Sequence, residues 1–401
     1  MFFENYHIFF YIILFIAVYN IAKRISKNIW IRISIIFIGN LLMILTLVKE
    51  HTFIVLSVLS LIVFLIGKYL QHRDSKPLLI AGLVLVISLF SIRNYPFIQE
   101  LLTDTFLEFL NAPILSVQKL GLSYILFRYV HWLIESNKRT IHKSNFLIFL
   151  NYIFFFPSIL AGPIDTYKNF HYWVGNSNWK YQKSLFFAGI TRIFLGAFKT
   201  LGIVPLIIVY ATDYNTLIPD FTPFIAVTLS LVAYSLYIYF DFSGYSDIAI
   251  GTSYLIGIKT PENFNSPYLS TDLSDFWRRW HMTFSNFLKL YVFKPSIKVY
   301  NTLFGTTNRL LVSISCYITT FMICGLWHGD KINFVYWGLW HGVGLSLNKI
   351  WTVKFKKRFQ FTTTKSYLAL SGVLTFTFVT IGWMFFHYSH EQLVTIFNTV
   401  L

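Results

Sequence analysis

The chain has 401 residues, of which 55% are hydrophobic, 20% aromatic and only 12% charged. Its mean hydropathy of +0.58 lies far outside the range of soluble globular domains. The formal net charge of +16 suits cytoplasmic loops and lipid headgroups, and no motif supports a nucleic-acid partner. The composition therefore predicts an all-α polytopic membrane protein in contact with the lipid bilayer.

Apolar runs of near 20 residues recur along the chain, which is the length an α-helix needs to cross the hydrocarbon core. About eleven spanning or half-spanning segments are predicted. They cover 6–22, 33–48, 52–70, 77–94, 144–163, 184–211, 218–240, 309–326, 332–349 and 367–387, with less regular pieces at 113–134 and 245–258. We expect a single integral membrane domain over 1–401, divided into N-terminal helices (1–110), a motif-bearing core (111–350) and a C-terminal loop and helix (351–401).

The short loops predict the orientation, because lysine and arginine stay on the cytoplasmic side of a membrane. Basic residues follow the first and third spans, at Lys23, Arg24, Lys27 and Arg32 and at His72, Arg73 and Lys76. Between these spans, the charges of Lys49 and Glu50 cancel. We therefore expect a multi-pass membrane protein with its N-terminus outside.

Two irregular regions precede the middle of the chain. Arg128 and His131 fall on one face of a predicted helix. Pro157, and then Gly162 with Pro163, must interrupt a helix. Such interruptions are tolerated where the backbone lines protein or water instead of lipid. The sequence therefore predicts a polar, irregular interior.

Asp241 and Asp247 stand at the end of a long hydrophobic span, in the stretch Tyr-Phe-Asp-Phe-Ser-Gly-Tyr-Ser-Asp. A carboxylate at membrane depth is costly unless it is paired or hydrated. Arg278, Arg279 and Arg128 are available partners. The two carboxylates are expected in a structural ion pair or polar network, or in contact with substrate or a proton path.

The aromatic segment 275–294 is predicted as one amphipathic helix, either at the membrane interface or folded back into the bundle. Its rings follow a three-four-three-four rhythm on one side, at Trp277, Trp280, Phe284, Phe287 and Tyr291. Ser274 or Asp272 could cap its start. The structural alternative is an interfacial helix whose arginines touch lipid phosphates.

The sequence Gly-Leu-Trp-His-Gly occurs twice, at 325–329 and 338–342, so that His328 and His341 stand thirteen positions apart. On one straight helix the two side chains would be rotated by about 220° and separated by about 20 Å. They could not then share one proton. Asp330, Lys331 and Asn333 are therefore predicted to break the helix between the two copies.

The histidines have no recognisable nucleophile beside them. The sequence contains no Gly-x-Ser-x-Gly elbow, phosphate-binding glycine loop or His-Glu-x-x-His metal motif. The two cysteines, Cys316 and Cys324, are expected as small buried side chains. A lone imidazole can take a proton from a hydroxyl while that oxygen attacks an activated acyl group. Acyl transfer without a metal or bound cofactor is therefore favoured over hydrolysis.

Four motifs together resemble the membrane-bound O-acyltransferases. They are Asp-Phe-Ser-Gly-Tyr-Ser-Asp at 241–247, Phe-Trp-Arg-Arg-Trp-His at 276–281, Gly-Leu-Trp-His-Gly at 325–329 and Trp-Gly-Leu-Trp-His-Gly at 337–342. The match also includes Gly-Trp-Met-Phe-Phe at 382–386. The resemblance covers about 121–390 and is to the bacterial branch that includes alginate O-acetylase and the D-alanyl transfer protein of teichoic acids. It implies a ring of helices with re-entrant or interfacial pieces around a central funnel, and makes 111–350 the catalytic core.

The resemblance also implies roles for particular residues. His328 matches the family's essential histidine, and His341 matches a second histidine for which a supporting role is preferred to a catalytic one. The funnel and its substrate contacts are assigned to His281, Trp280, Arg278, Arg279, Asp241, Asp247 and Trp327.

An acyltransferase of this kind would move an acyl group, preferably acetyl, from a cytoplasmic thioester to hydroxyls of a cell-envelope polysaccharide. The donor would then be acetyl-CoA, and an extracytoplasmic SGNH-type transferase would be a partner. The alternative is D-alanyl transfer from a phosphopantetheine carrier protein to a polymer like teichoic acid. The motifs are mixed, because 162–168 and 257–261 look more like the D-alanyl transfer protein, whereas 241–251 and 324–329 look more like alginate O-acetylase.

A transporter and a scaffold protein are the two alternatives to an enzyme. A proton-coupled transporter would use His328, His341, Asp241 and Asp247 as a relay, although the two halves of the chain show no correspondence of the kind inverted repeats produce. A scaffold in an envelope complex would keep polymer acylation when His328 alone is replaced. The enzyme is preferred to both.

Overall fold

The computed structural model describes residues 6–26, 28–48, 50–95, 98, 119–142, 144–175 and 183–400. Within these ranges every regular element is helical and there is no strand, which confirms the all-α prediction. Lys27, Lys49 and the first part of the predicted span at 113–134 lie outside the described residues.

The helices up to Gly175 are α1 (Tyr6–Ile25), α2 (Ile29–Leu47), α3 (Glu50–His72), α4 (Lys76–Asn94), α5 (Lys119–Asn137), α6 (Phe146–Ile153) and α7 (Tyr167–Gly175). The later helices are α8 (Lys183–Ala197), α9 (Val204–Thr212), α10 (Pro223–Leu255), α11 (Leu273–Arg279), α12 (Met282–Leu288), α13 (Lys294–Phe304), α14 (Arg309–His328), α15 (Ile332–Lys354), α16 (Lys365–His387) and α17 (His390–Val400). A π-helical turn, Phe198–Ile203, joins α8 to α9, and another, Lys289–Phe293, joins α12 to α13.

Six helical stretches in the described ranges are long and apolar enough to cross a membrane. They are Ile29–Leu47, Thr52–His72, Lys183–Thr212, Pro223–Leu255, Arg309–His328 and Lys365–His387. Each of them overlaps a span predicted from the sequence, so the chain is a multi-pass membrane protein.

The predicted spans at 218–240 and 245–258 form one continuous helix instead of two pieces. Helix α10 runs for 33 residues, Pro223–Leu255, through the polar stretch that contains Asp241 and Gly244. At 1.5 Å per residue its length is about 50 Å, well beyond the hydrocarbon thickness of about 30 Å. The prediction of two separate spans was wrong, because a helix can continue through polar side chains wherever other groups form hydrogen bonds or ion pairs with them.

The interruption predicted at Pro157 is confirmed. Helix α6 ends at Ile153, and only a short 3₁₀ turn, Phe156–Ser158, follows it. The buried Arg128 guanidinium donates to the Ile153 carbonyl at 2.6 Å and to the Ser158 carbonyl and hydroxyl at 3.2 and 2.7 Å. These bonds satisfy the backbone groups that the break leaves without helical partners.

The chain divides into two compact units, and neither is one continuous stretch. The first consists of Met1–Gly196 and Tyr245–Pro261, and the second of Ala197–Gly244 and Glu262–Leu401. The first contains Arg128 and its partners, whereas the second contains both copies of the repeated motif. The assignment of 1–401 to a single domain remains a prediction.

Candidate functional site

The repeated motif forms a helical hairpin in the second unit. Helix α14 ends at His328, Gly329 follows with a φ of 155°, and α15 begins at Ile332. A backbone with this φ is readily adopted only by glycine. The break predicted between the two copies is therefore confirmed, and it leaves His328 at the end of one helix and His341 in the interior of the next.

His328 lies among four aromatic rings and remains partly exposed. Its ring centroid lies 4.5 Å from that of Trp327, 5.8 Å from that of Phe334, 5.1 Å from that of Trp337 and 4.8 Å from that of Phe386. Trp337 and Phe386 meet the imidazole almost edge to face, at 85° and 87°. Among the described residues none hydrogen-bonds to His328. Its partly exposed ring is therefore suited to meet a reacting group.

His341 has a different environment, with no exposed surface. The rings of Trp277 and Trp337 lie 5.1 and 4.9 Å from its imidazole, and that of Phe378 lies 5.9 Å away. Neither of its nitrogens has a hydrogen-bond partner within the described ranges. Since Trp337 contacts both histidines, one indole lies between the two copies of the motif.

His281 occupies a break in the aromatic segment. Helix α11 ends at Arg279, and His281 has the left-handed values φ 42° and ψ 53° before α12 begins at Met282. The prediction of one continuous helix over 275–294 was therefore wrong. A non-glycine residue in this region is strained unless its surroundings hold it there.

Asn263 holds the strained backbone in place. Its backbone carbonyl accepts from the Met282 N–H at 2.8 Å, and its side-chain oxygen accepts from the Thr283 hydroxyl at 2.9 Å. The His281 Nδ1 lies 3.0 Å from the same oxygen and must donate to it, which leaves Nε2 unprotonated. Burial, with a smaller effect of the neighbouring His328, lowers the pKa of His281 to about 3. His281 is therefore a neutral imidazole of fixed orientation.

Trp327 connects two of these histidines through ring contacts. Trp327 stacks against His328, and its ring also lies 4.6 Å from that of Phe284, which is itself 5.0 Å from the His281 ring. Trp280 is buried, 5.1 Å from the ring of Trp383. The second unit thus contains His281, His328, His341, Trp280 and Trp327, and their roles as site residues remain predictions.

Arg278 and Arg279 form ion pairs with an aspartate instead of contacting the histidines of the site. Both pair with Asp275, at 3.1 and 2.9 Å, and no described contact joins either guanidinium to a histidine of the site. Asp272 caps α11 by accepting from the Asp275 N–H at 2.8 Å, which confirms one of the two predicted caps. The funnel role of the arginines remains a prediction.

The two aspartates lie on the same helix, α10, and each is described within its own unit. Asp247 belongs to the first unit, where its carboxylate binds Arg192 at 2.7 Å. Asp241 belongs to the second unit and is exposed. The partner of Asp247 is therefore none of the arginines considered from the sequence.

Sequence reasoning missed four residues that shape this region: Asn263, Trp337, Phe386 and Arg192. Trp337 had a signal, since it precedes the second motif copy, and Asn263 lies in a polar loop between helical segments. Phe386 closes the Gly-Trp-Met-Phe-Phe stretch at 382–386 that belongs to the family match, whereas Arg192 stands in an apolar run without any local signal. No group of three or more metal-binding side chains occurs in the described part of the chain.

Comparison with known proteins identifies the family. The model of MBOAT, the membrane-bound O-acyltransferase family, matches residues 33–390. The teichoic acid D-alanyltransferase of Bacillus subtilis is 31% identical over 338 residues, which are 81% of this chain and 82% of the relative. The peptidoglycan O-acetyltransferase of Helicobacter pylori is 36% identical over 244 residues, or 61% of this chain and 44% of the relative.

A probable alginate O-acetylase of Pseudomonas fluorescens is 31% identical over 268 residues, covering 67% of this chain and 50% of the relative. The chain thus spans about half the length of these two acetyltransferases, but most of the length of the D-alanyltransferase. The match to the family model extends over both histidine motifs and the aromatic segment. The chain therefore belongs to the membrane-bound O-acyltransferase family and is an acyltransferase.

Proposed function

We propose that this enzyme moves an acyl group from a cytoplasmic thioester donor across the membrane toward hydroxyls of a cell-envelope polysaccharide. The observation that carries this proposal is the contrast between its histidines. His328 is partly exposed at a helix end, whereas His341 is fully buried. Only the former is accessible to a substrate, which supports His328 as the catalytic residue.

In the proposed reaction, a ring nitrogen of His328 takes the proton of the acceptor hydroxyl as the oxygen attacks the thioester carbonyl. The new carbon–oxygen bond forms, the carbon–sulfur bond breaks, and the proton passes to the departing thiolate. General base catalysis of this kind contributes about 10²–10⁴ in rate. The free thiol and the acylated polymer are the products, and no oxidant or metal is consumed.

His281 would assist by holding a fixed neutral imidazole beside His328. Its Nδ1 proton is committed to Asn263, so its unprotonated Nε2 can only accept a hydrogen bond. We assign it to positioning the acceptor hydroxyl or shaping the funnel. Trp280 and Trp327 would line the same space.

Acetyl is the first candidate for the acyl group, with acetyl-CoA as donor and an SGNH-type transferase as extracytoplasmic partner. The identity of 36% to a peptidoglycan O-acetyltransferase supports it. D-alanyl is the second candidate, with a carrier-protein thioester as donor. The match to a teichoic acid D-alanyltransferase extends over 82% of that relative, which favours this alternative.

The membrane is proposed to be the bacterial cytoplasmic membrane, with the N-terminus outside. Lys23 and Arg24 at the end of α1 support this orientation, because basic residues stay inside. A reporter fused before Met1 should then be accessible from outside the cell, and protection of that reporter would reverse the topology.

The proposed function is tested in cells that lack this gene and in the same cells complemented with it. Labelled acetate or labelled D-alanine is supplied, and the label bound to isolated envelope polymers is measured. We expect polymer label to depend on the gene, with acetate reporting the first candidate and D-alanine the second. If neither label changes, the proposed reaction is wrong.

A further inference from the structure

Four aromatic rings lie around the His328 imidazole. Trp327, Phe334, Trp337 and Phe386, here called the His328 collar, supply rings from helices α14, α15 and α16 with centroids within 5.8 Å of the imidazole. The collar rings also contact one another: Phe386 lies 5.1 Å from Phe334 and 5.7 Å from Trp337. Phe334, Trp337 and Phe386 therefore form a connected wall.

The collar offers few polar atoms to a small molecule. Its only side-chain hydrogen-bonding groups are the indole N–H groups of Trp327 and Trp337, and both are buried. Within the collar, a water molecule would have the His328 imidazole as its main partner, with the acceptor nitrogen of His281 as the only other polar group that we place beside it. A hydrogen bond that stays unmade makes the position beside His328 less favourable for water.

This property matters because a thioester can be attacked by water as well as by an alcohol. Attack by water yields the free acid and the thiol, so the acyl group is lost before it reaches the polymer. The base that activates a polymer hydroxyl would activate water equally well. Selection between the two must therefore come from the surroundings of the base.

A sugar hydroxyl differs from water in bringing a carbon framework with it. The C–H faces of a sugar ring can cover aromatic rings and gain from the burial of apolar surface, whereas water gains nothing from that contact. Excluding water from the reacting atoms also prevents hydrolysis of reactive intermediates. The collar therefore favours attack on the thioester by a polymer hydroxyl over attack by water.

We infer that the His328 collar is a specificity determinant that directs the acyl group to a carbohydrate hydroxyl and away from water. This inference rests on the proposed function of His328. Phe386 is the collar residue best suited to a test, because it lies nearly perpendicular to the imidazole and comes from a different helix, α16.

Phe385 provides a matched control on the same helix. Its ring contacts Trp340 and Tyr336, at 5.7 and 6.4 Å, and it packs against the apolar cluster that contains Val227 and Leu393. No ring contact joins it to His328 among the described residues. Phe385→Ala thus removes a ring of the same size from a site outside the collar.

The experiment uses membranes that contain the full chain and their own envelope polymer. They receive acetyl-CoA or D-alanyl carrier protein with a labelled acyl group, whichever labels polymer in wild-type membranes. Free labelled acid and polymer-bound label are both measured, after subtraction of the values from His328→Ala membranes. We expect Phe386→Ala to raise the ratio of hydrolysis to transfer about tenfold, and Phe385→Ala to raise it less than about twofold.

An unchanged ratio in Phe386→Ala, or an equal rise in Phe385→Ala, would overturn the inference. If Phe386→Ala does not accumulate, Phe386→Leu retains apolar bulk without the ring, and a rise of about threefold is expected; no rise there also overturns it. Failure of the proposed function is seen separately, as undiminished polymer label in His328→Ala membranes.

Discussion

Gly325 and Gly338, the first residues of the two motif copies, face each other across the α14–α15 hairpin. A Cβ atom built on either glycine would lie 3.5 Å from the Cα of the other. It would also overlap a backbone carbonyl, that of Phe334 for Gly325 and that of Phe321 for Gly338. The repetition of the motif therefore gives both helices a glycine where their backbones are in contact.

Gly338→Ala should destabilise the hairpin by about 1–3 kcal/mol, because the added methyl group meets backbone that cannot turn away. Gly372→Ala is the matched control in another helix, since its Cβ would meet only the Ser270 carbonyl at an ordinary 3.6 Å. That control should leave stability unchanged or raise it by up to about 1 kcal/mol. Thermal unfolding of the purified proteins in detergent measures both, and equal effects would contradict the close contact.

His341 tests whether the second histidine acts by packing or by proton transfer. Its ring is fully buried and its nitrogens have no partner within the described chain, so His341→Phe should retain the fold and most of the polymer acylation. His341→Ala should lower the free energy of unfolding by about 3–5 kcal/mol, because it leaves a cavity behind Trp337. If His341→Phe is as inactive as a deletion while it is stable in the membrane, the histidine is catalytic.

Arg192 and Asp247 should behave as a coupled pair. Arg192→Leu removes the cation that lies 2.7 Å from the partly buried Asp247 carboxylate. It should lower the free energy of unfolding by about 1–3 kcal/mol. The double variant carries Asp247→Leu as well. Its loss in free energy of unfolding should be smaller than the sum of the two single losses by about 1 kcal/mol or more. Additive losses would contradict the pairing. A substrate contact of Asp247 would instead lower acylation in Asp247→Asn without affecting stability.

Asp275 should make stability depend on pH. Burial raises the pKa of its carboxyl, but hydrogen bonds from Arg279 and Arg278 outweigh this and hold the pKa below its ordinary value of 3.8. The stabilising contribution is therefore complete above that ordinary value and is lost as the pH falls through the folded-state pKa. Asp275→Asn should be less stable than the wild type by about 0.5–1 kcal/mol at neutral pH.

The check on this prediction is thermal unfolding of both proteins at neutral pH and in acid. The difference between them should shrink on acidification, because the wild-type carboxyl then becomes protonated. A difference that stays constant with pH would show that the substitution acts through packing instead of charge.

The sequence was informative where structure depends on neighbours along the chain. The break between the motif copies follows from the polar run after Gly329, and the interruption at Pro157 follows from proline chemistry. Both were predicted correctly. The Asp272 cap was one of two predicted from the same local signal.

The sequence was misleading where structure depends on distant residues. The ring rhythm of 275–294 fits one helix, but Asn263, eighteen positions before His281, bonds to the backbone and side chains at the break. In the same way, Asp247 pairs with Arg192, 55 positions away on another helix, instead of with an arginine of a recognisable motif. Such long-range partners leave no trace in local periodicity.

The role of His328 is tested most directly by polymer acylation in cells that carry His328→Ala at wild-type membrane levels. His390→Ala is the control, because this histidine is exposed at the start of α17 and lies outside the collar. We expect His328→Ala to reduce polymer-bound acyl label to the level of the gene deletion, and His390→Ala to leave it unchanged. Wild-type acylation in His328→Ala would contradict the catalytic role of this histidine.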